Sequence, residues 1–306
     1  MLRKYLLLTL LITLLAACVP QVPIATPTSA TLSLTDGLGR EVKLAGPAQH
    51  VVSLAPSNTE ILFAIRAGKQ VVGRDQLSDF PEEAKNVTDI GSTFDALNTE
   101  KIVSLKPDLV LAAEINTPEQ VKQLEDLGLT VYYLKNPSTL EGMYKNLEIV
   151  AQLTGHEQEA ATLIESLKKR VAAVDEKIAP ISSRPNVFYE LDGTDPAKPY
   201  TAGKGTFITQ LIDRAGGHNI AADLEGYPQM SLEQVVAADP AFIILGDARY
   251  GVTPESIAQR PGWENLAAVK NGKVLPFNDD LVSRPGPRLV DALEELAKLL
   301  RPELFE

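Results

Sequence analysis

The chain is 306 residues long, room for two ordinary domains, and its 44% hydrophobic and 23% charged composition suits a folded core and excludes a disordered tail or a polytopic membrane protein. With 29 basic against 40 acidic residues the formal charge is −11, the wrong sign for holding a polyanion by counterion release, so nucleic acid is set aside as a partner. One cysteine and three histidines exclude an internal disulfide and a cysteine metal cage, and argue against a receptor for bare zinc or manganese.

Residues 1–17 carry Arg3 and Lys4 and then an apolar run from Tyr5 to Ala17, shorter than the roughly 20 residues a spanning helix needs. This is the pattern of a secretory signal peptide. Its end, Leu15-Ala16-Ala17-Cys18, resembles a bacterial lipobox, which implies lipidation of Cys18 as the first mature residue. Residues 18–30, rich in proline and threonine, read as a tether. Loss of the leader leaves 27 basic and 40 acidic residues, a charge of −13.

Thr31–Thr35 and Glu41–Leu44 flank the glycine-containing Asp36-Gly37-Leu38-Gly39-Arg40 and predict a β-hairpin. From His50 onward short apolar runs alternate with helical stretches at 58–67, 98–105 and 118–127, predicting a parallel α/β lobe over 31–140. Residues 141–180 form a linking helical segment. Within it Ala160, Leu163, Ile164, Leu167, Val171, Val174 and Ile178 recur at spacings of three and four, so 157–178 reads as one helix about 33 Å long. After Pro180 to Pro185 the alternation resumes over 181–306, with helices expected at 205–215, 231–238, near 255–268 and at 287–301.

Residues 98–110 align without a gap on residues 231–243, an offset of 133. Each copy runs from a capping residue (Asn98, Ser231) through a glutamate (Glu100, Glu233) and a short helix to a proline before an apolar strand, which favours two related lobes.

The motifs of enzymes are missing. The chain has no HExxH or GxSxG, no GxGxxG after a strand and no P-loop, and Cys18 lies in the leader. His50, His156 and His218 read as cap or loop residues.

Stretches such as DGLGREVKL (36–44), HVVSLAPSNTEILFAI (50–65), VVGRDQLSDFPEEA (71–84), YPQMSLEQVVAADPAFII (227–244) and SRPGPRLVDALEELAKLL (283–300) resemble the cobalamin and ferric-siderophore family of ABC importer substrate-binding lipoproteins. The resemblance covers essentially residues 32–304. It implies two Rossmann-like α/β lobes joined by one long helix, with a ligand held between them and little freedom to close. It further implies a monomer that delivers its cargo to a permease dimer and its ATPase, without a cofactor or resident metal of its own, outside the cytoplasm and anchored by lipid.

Residue by residue, the family places permease-docking glutamates at Glu100 and Glu233 and aromatic clamps at Phe94 and Tyr227. An acidic position that hydrogen-bonds corrin amides falls at Asp279 and Asp280. Leu77 departs from the family's tyrosine. Arg74, Arg249 and Arg284 are candidates for an anionic ligand, Arg284 and Arg288 being equally suited to a structural role, and Ser57-Asn58-Thr59-Glu60 reads as a helix cap. The expected function is capture of a corrinoid. A ferric siderophore or haem is the alternative within the family, and a surface-anchored hydrolase the alternative outside it.

Overall fold

The computed structural model describes residues 31–305; the expected signal peptide, Cys18 and the expected tether lie outside the described residues. An antiparallel hairpin of β1 (Leu32–Thr35) and β2 (Glu41–Leu44) leads into the first lobe. There β3 (Val51–Ser53), α1 (Pro56–Ala64), β4 (Val71–Arg74), α2 (Thr99–Ser104), β5 (Leu109–Ala113), α3 (Pro118–Asp126) and β6 (Val131–Leu134) build a parallel sheet ordered β4-β3-β5-β6. All residues of β5 and β6 are buried, as expected for strands covered on both faces.

Two helices follow, α4 (Leu140–Thr154) and α5 (Glu157–Ile178), separated by Gly155, whose φ of 76° gives the left-handed turn that ends α4. The periodicity of α5 is realised: Ala160, Ile164, Leu167, Val171, Val174 and Ile178 are buried, while Leu163 is only half-buried. The second lobe comprises β7 (Asn186–Glu190), α6 (Phe207–Arg214), β8 (His218–Asn219), α7 (Leu232–Ala238), β9 (Phe242–Leu245), α8 (Pro254–Ala258), α9 (Ala267–Lys270), β10 (Val274–Pro276), α10 (Asp280–Ser283) and α11 (Leu289–Leu300). Its sheet, β10-β9-β7-β8, is again parallel.

Taken in chain order, both sheets have the strand order second, first, third, fourth, so the lobes share one topology. The repeat persists in detail at the offset of 133. Asn98 and Ser231 cap α2 and α7 by accepting from the third helical N–H, Ile102 and Val235 are fully buried, and Lys106 and Asp239 both take left-handed φ (50° and 37°) ahead of β5 and β9.

One hydrophobic cluster runs continuously beneath both sheets, from Val51 and Leu111 through Leu147, Leu167 and Val171 to Leu293 and Leu296. Helix α5 is its spine. Ion pairs fix it to the second lobe: Arg170 reaches Glu294 (2.8 and 2.7 Å) and Asp291 (2.6 Å) on α11, and Arg214 holds Asp175 at 2.7 and 2.6 Å. An interior close-packed across both lobes resists bending at their junction.

Some boundaries depart from the sequence expectations. Helix α1 begins at Pro56, which suits a first-turn position, and ends before Arg66, whose φ is 68°. The helix expected near 255–268 is two short helices, because Pro261 and Gly262 (φ 89°) interrupt it. His218, read as a loop residue, lies on β8, a strand of two residues that no alternation pattern can signal.

Candidate functional site

In open α/β sheets the carboxyl ends of the strands carry the loops that bind ligands. Here the loops after β3 and β4 in the first lobe meet the loop after β10 in the second, through Glu60, Asp79 and Phe80 against Arg284 and Arg288, and the exposed aromatic residues stand on the strand-end loops after β4, β7, β8 and β9. Phe94 is 57% exposed in the segment before α2, which Asn116 and Gln120, beyond β5, hold through the carbonyls of Thr93 and Asp95 (3.4 and 2.6 Å). Tyr227 is 63% exposed before α7, in a segment tied to the loop after β7 by Thr201 N–H to the Pro228 carbonyl (2.9 Å). The two rings are separated by the same 133 residues as Glu100 and Glu233, so each lobe presents one ring at an equivalent place. Sequence reasoning missed Phe80, Tyr200 and Tyr250, which are exposed on the same loops. Tyr250, 79% exposed with the Arg249 guanidinium 5.5 Å from its ring centre, could have been found by its position in the turn directly after β9.

Asp279 lies near enough to Tyr227 for its charge to act on the phenol. It accepts from Tyr189 Oη at 2.8 Å, and Gly246 makes this possible, since a Cβ there would stand 2.6 Å from the Tyr189 ring and 3.0 Å from the Asp279 carboxyl. Burial raises the Asp279 pKa above its ordinary value and outweighs the Tyr189 hydrogen bond. Packing raises the Tyr227 phenol as well, and the Asp279 charge adds to it. Asp280 binds Arg249 at 2.5 Å and Arg284 at 3.3 Å. Beside these residues a concavity of about 390 Å³, lined by Asp192, Thr194, Asp247 and Tyr250 among others, opens at the end of the second sheet. Other concavities of about 470 and 560 Å³ flank α5 away from the strand ends and gather no exposed aromatics.

The arginines proposed for an anionic ligand are committed within the protein. Arg74 is buried and donates to the carbonyls of Ala84 (3.0 Å) and Asp75 (2.9 Å). Arg284 is buried against Asp79 (2.6 Å), Asp280 (3.3 Å) and Glu60 (3.4 Å). Arg288 grips Glu60 through both oxygens, one at 2.8 Å, and stacks 4.0 Å above the Phe80 ring. Glu60, Asp79 and Phe80 belong to the first lobe and the two arginines to the second, so this buried cluster clasps the lobes together at the strand ends.

The capping expectation for Ser57 to Glu60 is therefore corrected. Ala55 is the cap residue and makes no side-chain cap bond. Asn58 instead donates to the Leu111 carbonyl (3.0 Å), Thr59 to Ser53 Oγ (2.8 Å), and Glu60 faces the other lobe.

Beneath the second sheet's ends Glu190 is fully buried, bound by Arg260 at 2.6 and 2.9 Å and paired with the Asp247 carboxyl. Gly193 leaves room for the pair, because a Cβ would stand 2.3 Å from Arg260 and 2.5 Å from Glu190. Burial pushes the Glu190 carboxyl up to about 7 from 4.5, against the pull of Arg260. The folded state thus holds a proton that the unfolded chain releases. Its stabilisation is complete below pH about 4.5 and is lost as pH rises to about 7, a change of roughly 3 kcal/mol. Urea titrations at stepped pH should show stability falling through that window, with a flatter profile for Glu190→Gln; parallel profiles would refute the assignment.

Among the described residues no group of three or more His, Cys, Asp or Glu is placed to hold a metal ion. Glu100 and Glu233 are exposed on the first turns of α2 and α7.

A two-lobed scaffold with a helical spine and a loop-lined junction at the strand ends is that of a solute receptor. The sequence pattern of the periplasmic binding protein family matches residues 51–281, and the chain belongs to that family. It is 36% identical over 280 residues, 90% of this chain and 87% of the relative, to the uncharacterized ABC transporter substrate-binding lipoprotein YvrC of Bacillus subtilis strain 168. It is 34% identical over 255 residues, 83% of this chain and 90% of the relative, to the vitamin B12-binding protein of Salmonella typhimurium. Among solved structures it matches the apo periplasmic heme-binding protein RhuT of Roseiflexus sp. RS-1 with a TM-score of 0.74 and 29% identity, over 84% of this chain and 99% of that one. Family members are extracytoplasmic substrate-binding proteins of ABC importers and not enzymes, which removes the hydrolase alternative, and they pass small-molecule ligands to a permease and its ATPase.

Proposed function

We propose that this receptor captures a corrinoid between its lobes. The observation that carries the reading is the commitment of Arg74, Arg249 and Arg284 to the protein's own carboxylates and carbonyls, beside exposed rings on both lobes. A haem propionate or an anionic siderophore would have to draw buried Arg74 or Arg284 from its partners, at a cost in desolvation, or compete with Asp280 for the half-exposed Arg249. A flat macrocycle edged with amide N–H groups instead meets aromatic faces at Phe94 and Tyr227, and a carboxylate such as Asp279 or Asp280 can accept from it with lone pairs beyond those used by Tyr189, Arg249 and Arg284. The vitamin B12-binding relative supports this choice, and the heme-binding neighbour supports the alternative. Presenting the purified chain from residue 31 with an equimolar mixture of cyanocobalamin, haemin and a ferric siderophore, then recording the absorption spectrum of the co-eluting ligand, tests it. A corrin spectrum is expected; a haem or ferric-siderophore spectrum would overturn the reading.

Two further assignments complete the proposal. Cys18 carries a lipid anchor, supported by the lipoprotein named among the relatives. Glu100 and Glu233 dock the lobes on basic groups of the permease, supported by their exposure and their equivalence in the repeat.

A further inference from the structure

Of the large apolar residues exposed among the described ones, Leu77, Phe80, Phe94, Tyr200, Tyr227 and Tyr250 belong to the loops at the strand ends. Leu38, Leu127, Val103 and Val236 do not, and of these four only Val103 and Val236 occupy equivalent positions of the repeat. The two valines stand 40% and 46% exposed on α2 and α7, separated by the same 133 residues. Each lies three residues beyond a glutamate, Glu100 or Glu233, and therefore on the same helix face. Each directly follows the fully buried residue of its helix, Ile102 or Val235, so the helix is already fastened by another side chain.

A β-branched residue on the outer face of a helix of six or seven residues costs helix propensity, and each of these two leaves nearly half of its surface in water. Its appearance twice, within a repeat whose cap, buried position, left-handed residue and strand all coincide, points to one partner feature met twice. A permease built of two equivalent halves is such a partner, since each lobe then meets the same surface.

We infer that Val103 and Val236 are apolar anchors, each packing onto one half of the permease beside the basic group that takes Glu100 or Glu233. The inference rests on the docking role proposed for those glutamates and divides the labour. Rim charges steer and orient the encounter, whereas a desolvated apolar contact governs how long the complex lasts.

The test measures binding of the intact receptor to its own permease–ATPase complex in nanodiscs, at low and high salt, for three proteins: wild type, Val103→Ser/Val236→Ser and Glu100→Arg/Glu233→Arg. The valine variant is expected to dissociate about tenfold faster, with the salt dependence of association, the melting temperature and the ligand affinity unchanged. The glutamate variant is expected to lose association itself. Wild-type dissociation of the valine variant alongside failure of the glutamate variant would overturn the valine anchors and leave the docking role standing. Wild-type behaviour of both would overturn the docking role as well. Faster dissociation of the valine variant with an unaffected glutamate variant would uphold the anchors and remove the charge contact.

Discussion

Glu60→Ala is expected to cost roughly 3–5 kcal/mol of folding stability, because it leaves a buried arginine without its carboxylate. Glu60 has only 1% of its side chain exposed and binds Arg288 through both oxygens, with Arg284 at 3.4 Å. Arg284 retains Asp79 and Asp280 after the change, whereas among the described residues the Arg288 guanidinium keeps only the Phe80 ring. Joint replacement by Glu60→Met and Arg288→Met should recover most of the loss, since a buried ion pair is worth little over a packed apolar pair of similar volume. The lobes of the double variant should then move more freely, because the clasp is directional and its apolar substitute is not. Urea unfolding reads the first effect and spin labels placed across the lobes the second. A loss below about 0.5 kcal/mol for Glu60→Ala would show that the cluster contributes nothing to holding the lobes.

The second large effect is on binding. Phe94→Ala and Tyr227→Ala should each weaken corrinoid affinity about 30-fold, the loss of a central aromatic contact worth about 2 kcal/mol, and the double variant should lose on the order of 10³-fold. Additivity is expected because the rings sit on different lobes and share no contact in the free protein. Both side chains are mostly exposed, so unfolding midpoints should stay where they are. Tyr227→Phe, which keeps the ring and drops the hydroxyl, should bind nearly as well as wild type. Unchanged affinity in the double variant would mean that the ligand is held elsewhere on the strand-end loops.

The parts of this architecture written in local patterns were legible in the sequence. Helix α5 announces itself through apolar residues every three or four positions, and the repeat through a cap, a glutamate and a proline at fixed distances, all of which depend on neighbours in the chain. The clasp was not legible for the opposite reason. Glu60 follows Ser57 and Asn58 at the spacing of a helix cap, and nothing near it reveals that Arg288, 228 positions away, is its partner. The same holds for Arg284, whose commitment to Asp79 and Asp280 decides whether a cation is free for a ligand. Tyr250 and Tyr200 escaped notice because a single aromatic in a turn carries no period. The offset of 133 between Phe94 and Tyr227 lay in the chain throughout, and it gained weight once both rings proved exposed on equivalent loops.

The fold also bears on how such a receptor works. With one apolar core shared by both lobes along α5 and a buried ion cluster across their junction, ligand binding has little freedom to drive closure. Recognition must then rest on a largely preformed surface, which lowers the ordering cost of binding.

The corrinoid assignment is tested most directly by calorimetric titration of the chain from residue 31 with cyanocobalamin, in parallel with cobinamide, haemin and a ferric siderophore. One corrinoid per protein is expected, with a dissociation constant below about 1 μM and haemin and the siderophore binding at least about 100-fold more weakly. Saturable haemin or siderophore binding with no corrinoid binding at micromolar concentration would contradict it.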